Sequence, residues 1–487
     1  MNLDGLFKNS LYTFYYARQP LEPLGAHTAF ADGVISHTPK TFCKGAGAGE
    51  SSAAVVGFCA DSHGEISRED IPLYIARHTK NARELAALSD RLAGKYVIMA
   101  RYGAGDFALL TDAAASLPVF YHTGGAVCVS SLEYLAAREL SLPLSEKSAA
   151  IERRSQPHMP LPGDITAYDG LLCLLPNHWL DMKAHRAVRF YPESGGKKNS
   201  LSAGEAVKLS EPLIRNTVAA YAGEHRLLCP VTGGYDSRLA LAFLLACGLK
   251  DDLLCYTSNH SGFTAESADI AMPARLTEMF GLNYRLIEDL KAPEEMREAV
   301  CEIFRKSEGV EDAAFTQISL FGDRLTICGD IIDQVGKSAI GADIPAALAT
   351  ASYFQCKSHV FSPYAKAEIK KWLKGARVKG AYATPYDLFA VESRCGRWAA
   401  GSQNIYSVLG NNALNIFNCR EVIDTWVRVP RGQRIRRELH REFFKSLCPE
   451  MLDVPFNPGA KYSYAKNHAF TLWLATYLRY FMDKRRM

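Results

Sequence analysis

Residues 227–245 read LLCPVTGGYDSRLALAFLL: a short apolar run, a Thr-Gly-Gly-Tyr-Asp-Ser turn, then a continuous apolar pattern of helical length. A strand that passes through two glycines into a helix N-terminus points its backbone N–H groups outward under a favourable dipole. The missing Cβ atoms of Gly233 and Gly234 leave room for a phosphate. The turn is therefore read as an anion site. Thr232 and Ser237 add hydroxyl donors, and Asp236 supplies a carboxylate able to hold a magnesium ion that bridges phosphates. The stretch is not the common GxxxxGK[ST] loop, because it is shorter and has no lysine.

Downstream, LLCYTSNH, ESADIAMPARLTEMFGL and NYRLIED continue the alternation of strand and helix. Such βαβ units imply a parallel sheet with ligands outside the carboxyl ends of its strands. The remainder, to Met487, reads as mostly helical. Upstream, AAVVGFCAD, GKYVIMARYG, DFALLTDAA, PVFYHTGGAVCVSS and LCLLPNHWLDM are short alternating or apolar runs separated by turn residues, the pattern of an antiparallel β-rich layer with a few helices. Between the two regions YPESGGKKNSLSAGEA (191–206) is polar and Gly/Ser-rich, the best linker in the chain. The expected organisation is a β-rich domain over 1–195, a linker over 196–206 and an α/β domain with additional helices over 207–487.

A chain of 487 residues is too long for one ordinary core. Its net charge of +4 gives no reason to propose a nucleic-acid groove or an anionic membrane patch. The 13 cysteines are scattered, odd in number and without a CxxC pair, which points to free thiols in a reducing, cytosolic setting. The N-terminus shows no targeting pattern, and no apolar run is long enough to span a membrane. The closing AFTLWLATYLRYFMDKRRM has helical apolar spacing, read as core packing because charges interrupt and flank it.

The TGGYDS turn resembles the SGGxDS pyrophosphate loop (PP-loop) of the ATP pyrophosphatases, and further segments extend the likeness along nearly the whole chain. GDFALLTDAAASLPVFYHTGGAVCVSSLEYL, LPGDITAYDGLLCLLPNHWLD, GDIIDQVGKS, NIFNCREVIDTWVRVP and RRELHREFFKSLCPEMLDVP resemble, in order, segments of the asparagine synthetase-like proteins, which include β-lactam synthetase. The resemblance implies an N-terminal domain like the N-terminal nucleophile (NTN) hydrolases and a C-terminal PP-loop α/β domain. Glutamine-using members carry a nucleophilic Cys directly after the initiator Met. Here residue 2 is Asn2 and the first cysteine is Cys43, in TPKTFCKGAGAG, so no glutaminase activity is expected and the first domain is a structural remnant.

Carried over residue by residue, the resemblance implies ATP and Mg2+ as cofactors. Thr232, Gly233, Gly234, Asp236 and Ser237 hold the nucleotide's phosphates, and Tyr256 and Thr257, in the strand over 253–259, form the adenine-side wall. GDIIDQ lies on the family's GEGxDE loop, which makes Asp333 the second metal ligand beside Asp236 and Asp330 an aid to deprotonating the incoming amine. Ile331 replaces the middle glycine of that pattern, and a surface turn with two solvated aspartates is the alternative. Gly336-Lys337-Ser338 lacks the partner glycine of a GxxxxGK[ST] loop and is not read as one.

The family's catalytic Lys falls near Arg437, with Arg434, Arg436 and Arg441 around it. Lys461 and Lys466 are further candidates. Glu392 or Arg394 contributes to acceptor binding or forms an interhelix salt bridge.

The implied reaction is amide formation: a small-molecule or peptide carboxylate is adenylated with release of pyrophosphate, then passed to an amine or ammonia with release of AMP. Two other readings are a PP-loop enzyme that modifies a nucleobase and a non-catalytic binding protein. No nucleic-acid or membrane partner is expected, and a homodimer is left open.

Overall fold

A computed structural model describes residues 3–125, 127–156, 159–194, 199–259, 264, 266–305, 309–456 and 469–486. The first part contains two six-stranded antiparallel sheets. One runs Leu171–Cys173, Phe120–His122, Val129–Ser130, Phe14–Ala17, Gly33–His37, Ala26–Phe30 in spatial order. The other runs Arg186–Arg189, His178–Asp181, Phe107–Thr111, Leu92–Tyr102, Ser51–Asp61, Cys43–Ala48.

Period-2 alternation sorts their side chains. Ala54, Val56, Val97 and Met99 turn inward with Phe14, Tyr16 and Ile35 of the other sheet. Ala53, Val55, Ile98 and Ala100 turn outward against Ile71, Ile75 and Leu85 of the helices Ile71–His78 and Ala82–Leu88. The first sheet's outer face, with Tyr15 and Leu171, packs on Leu135 of the helix Glu133–Glu139 and on Val300 and Ile303 of Glu294–Phe304.

The second part is built on a five-stranded sheet, parallel throughout, in the order Asn283–Ile287, Leu254–Ser258, Leu227–Pro230, Leu325–Cys328, Ala413–Asn415. The chain leaves Leu227–Pro230 to one side and returns on the other, so the topological switch point lies between Leu227–Pro230 and Leu325–Cys328. Loops after these neighbouring strands diverge there and leave a crevice. Leu325–Cys328 and Ala413–Asn415 fall in the stretch expected to be mostly helical. They hold four and three residues, too few for strand periodicity to register.

The 22-residue helix Ala203–Glu224 opens with a capping box in which Ser202 and Glu205 satisfy each other's backbone N–H groups. Residues 203–206, expected in the linker, are therefore its first turn. The polar look of this stretch is a helix-start signal as much as a linker signal.

The two parts are not independently packed. One apolar cluster runs from Phe14 and Val97 through Leu239 and Phe243 to Phe417 and Trp426. Buried polar bonds also cross between them: Asn418 donates to Asp112 at 2.7 Å, and Lys95 donates to Ser407 at 2.6 Å. Glu392 accepts from Asn177 and Trp372, each at 2.7 Å, and forms an ion pair with Arg189 that joins the two parts.

All 13 cysteines are free thiols. No helix among the described residues is long and apolar enough to cross a membrane. The core packing expected of the last segment holds along one edge only: in the helix Ala469–Arg486, Trp473 and Tyr477 pack against the cluster around Tyr353, whereas Phe470 is 67% exposed and Leu478 56%.

Candidate active site

The strand Leu227–Pro230 ends, Val231–Gly233 turn, and Gly234 caps the helix Tyr235–Ala246. The turn is closed on itself. The Thr232 N–H donates to the Ser237 hydroxyl at 3.0 Å, the two hydroxyls lie 2.9 Å apart, and the Gly234 N–H donates to the Thr232 hydroxyl at 3.3 Å. The Gly233 N–H donates at 3.2 Å to Asp269, in the first turn of the helix Ala268–Met279. Asp269 was not singled out from the sequence. Gly234 has an ordinary negative φ, and a Cβ there would meet only the Thr232 hydroxyl at 3.4 Å, so its value is space and not backbone freedom.

Across the switch point, GDIIDQ is not a surface loop. Gly329 follows Leu325–Cys328, and Ile332–Gly336 form a turn of π-helix. A Cβ on Gly329 would stand 3.0 Å from the Asp236 carbonyl oxygen, so this glycine permits the two turns to meet. They bring three carboxylates into one electrostatic cluster: Asp236, Asp330 and Asp333. Asp330 accepts from Asn415 at 2.6 Å; burial, helped by the charges of Asp333 and Asp236, pushes its carboxyl up. Asp333 accepts from Lys337 at 2.9 Å and from Gln334 at 2.7 Å.

Arg437, chosen from sequence among four neighbouring arginines, is the one at the site. Its Nη1 donates to Asp236 Oδ1 at 3.1 Å, its Nη2 is 4.0 Å from Asp333 Oδ1, and its guanidinium lies 4.8 Å from the Tyr235 ring centroid. It caps the helix Glu438–Leu447 with φ +63°, a left-handed conformation rare for a side-chain-bearing residue. Arg434 is instead buried in an ion pair with Asp387 at 2.7 Å, and Arg436 pairs with Glu438.

His440, one turn on, was missed by sequence reading. It is fully buried, its Nε2 lies 3.0 Å from Asp236 Oδ1, and its Nδ1 has no hydrogen-bond partner among the described residues. Burial pulls His440 down, against the hydrogen bond and charge of Asp236. Burial pushes Asp236 up, but the His440 hydrogen bond and the charges of Arg437 and Lys337 outweigh it and hold the carboxyl below the usual range.

Arg238 is buried with no carboxylate partner among the described residues. It donates to the carbonyls of Met451, Val454 and Pro455 at 2.6–3.1 Å, tying that segment to the turn, and burial lowers it to about 10. Arg394 lies over the Trp398 ring at 4.4 Å, within the field of Asp333. Lys461 and Lys466 lie outside the described residues.

The adenine-side wall needs correction at the side-chain level. Tyr256 is in the core beside Phe321, its hydroxyl accepting from Gln317 at 2.9 Å, and the Thr257 hydroxyl donates to the Val231 carbonyl at 2.7 Å. Only Ser258 and Asn259, at the strand's end, are half-buried.

As a resident magnesium site the donor set does not fit. Asp236 already holds Arg437 and His440, and Asp333 holds Lys337 and Gln334, so the chain's own cations, Arg437 and Lys337, stand against both candidate ligands. What the arrangement offers chemically is a pair of cations, Arg437 and Lys337, beside the turn at 232–237, with the Asp330 carboxyl in the same cluster. Set against protein-family models and curated proteins, the chain matches none of them.

Proposed function

We propose that the chain is an ATP-dependent amide-forming ligase of the asparagine synthetase-like kind, without glutaminase activity. The observation that carries this reading is the meeting of two turns at the switch point of a parallel sheet, with Asp236, Asp330 and Asp333 gathered beside Arg437 and Lys337. The resemblance of these turns to PP-loop and GEGxDE segments supplies the reaction.

A substrate carboxylate oxygen attacks the α-phosphorus of ATP, the bond to the β-phosphate oxygen breaks, and pyrophosphate leaves with its charge met by Arg437 and Lys337. An amine then attacks the acyl carbon, the bond to the AMP oxygen breaks, and Asp330 takes the amine's proton. One feature supports the absence of glutamine hydrolysis: burial pushes the Cys43 thiol up to about 11. In this reading the antiparallel sheets are the remnant of an NTN-type domain.

The test is a panel of carboxylates screened for carboxylate-dependent ATP–pyrophosphate exchange and for AMP. Exchange that Asp236→Asn lowers by roughly a hundred- to a thousandfold supports the reading. ADP as the product, or no turnover while nucleotide binds, rejects it. The second outcome is what a non-catalytic binding protein would show, a reading favoured by the Gly233 N–H being held by the Asp269 carboxylate.

A further inference from the structure

The two carboxylates assigned to metal from sequence stand on either side of a guanidinium. Arg437 reaches Asp236 at 3.1 Å with one terminal nitrogen and approaches Asp333 at 4.0 Å with the other. The position is built, not incidental. The Tyr235 ring lies beside the guanidinium, and that ring is itself stacked on Phe456 at 3.7 Å. His440 supports Asp236 from the buried side, Lys337 supports Asp333 from the other, and the arginine's backbone is held at φ +63°. Asp236 and Asp333 are thus met by Arg437 and Lys337, with the Asp330 carboxyl in the same cluster.

A bare divalent ion with its tightly held waters would have to expel the guanidinium to reach Asp236 and Asp333. A polyphosphate, by contrast, offers the guanidinium a bidentate partner of higher charge than one carboxylate. We propose that Arg437 is the resident cation of this site, exchanging partners from Asp236 and Asp333 to the nucleotide's phosphates, so that a divalent ion reaches the two aspartates only together with nucleotide. This inference rests on the nucleotide-binding reading of the site.

The probe is Mn2+, titrated into the protein without nucleotide and followed by the loss of the free-ion electron paramagnetic resonance signal. Arg437→Met should bind Mn2+ at least about tenfold more tightly than the wild type, since one charge-assisted pairing no longer competes. Adding Asp236→Asn to that variant should abolish the gain, which locates it at this pair. Arg437→Gln, which keeps most of the side chain's length, is measured in parallel, with circular-dichroism melts establishing that each variant is folded. Equal Mn2+ affinity in the wild type and both folded single variants overturns the proposal, as does a gain that survives Asp236→Asn.

A further arm measures MnATP binding to the wild type. MnATP binding without any gain in the single variants sinks the resident-cation proposal and leaves the ligase reading standing. The gain without any nucleotide binding keeps Arg437 as resident cation but sinks both the exchange onto phosphates and the ligase reading.

Discussion

The bond between Arg437 and Asp236 joins residues 201 positions apart, and its strength can be measured by a double-mutant cycle of Arg437→Met and Asp236→Asn. Two unit charges about 4 Å apart interact by about 4 kcal/mol at an effective dielectric constant near 20. Two features reduce the measurable coupling. The side chains are 19% and 24% exposed, so solvent screens the pair, and Arg437 keeps Asp333 at 4.0 Å when Asp236 is neutralised. The expected coupling is therefore about 1–2 kcal/mol, read from urea unfolding of the wild type, the two single variants and the double variant.

The pH dependence carries a sign. Asp236 is held below its unfolded value, so its contribution is fully present above the unfolded carboxylate pKa and is lost as pH falls through the folded one. Arg437→Met removes one of the causes and brings the folded pKa closer to the unfolded one, so the acid loss should be smaller and complete at a higher pH. Additivity of the two substitutions within about 0.5 kcal/mol would mean that the bond does not organise the site.

Three further outcomes are expected. Arg434→Met leaves Asp387, which is 3% exposed, without its ion-pair partner and should cost about 3–5 kcal/mol in denaturant unfolding; a loss under about 1 kcal/mol would contradict the buried pair. Lys95 is 1% exposed and burial pulls it down to about 8 from 10.5, so the unfolded chain binds more protons than the folded one between these values. Stability of the wild type relative to Lys95→Met should then rise by up to about 3 kcal/mol across that window, and a flat difference would place Lys95 in water. The exposed Cys301 should alkylate with iodoacetamide before Cys43 at neutral pH, and glutamine should yield no glutamate; glutamate release abolished by Cys43→Ala would restore a nucleophile to the first part.

The amino-acid sequence by itself determined the elements whose causes are local. The glycines of the turn at 232–237 and the apolar run behind it make a strand–turn–helix wherever they are placed, and Ser51–Asp61 and Leu92–Tyr102 carry long apolar runs of their own. Asp236 was legible from the turn itself, whereas Asp330, Asp333 and Arg437 were candidates only through the resemblance of their segments to a known family. Only the tertiary structure decided which arginine of the cluster at 434–441 faces the carboxylates, because a helix start with φ +63° turns Arg437 inward while Arg434 is taken up by Asp387. It also placed His440, Lys337 and Asp269 in contact with the candidate residues, and decided that the short strands Leu325–Cys328 and Ala413–Asn415 complete the sheet. Strands of three and four residues are stabilised by neighbours fixed from elsewhere in the chain, and side-chain charge pairing acts through space. Neither leaves a periodic signature along the sequence.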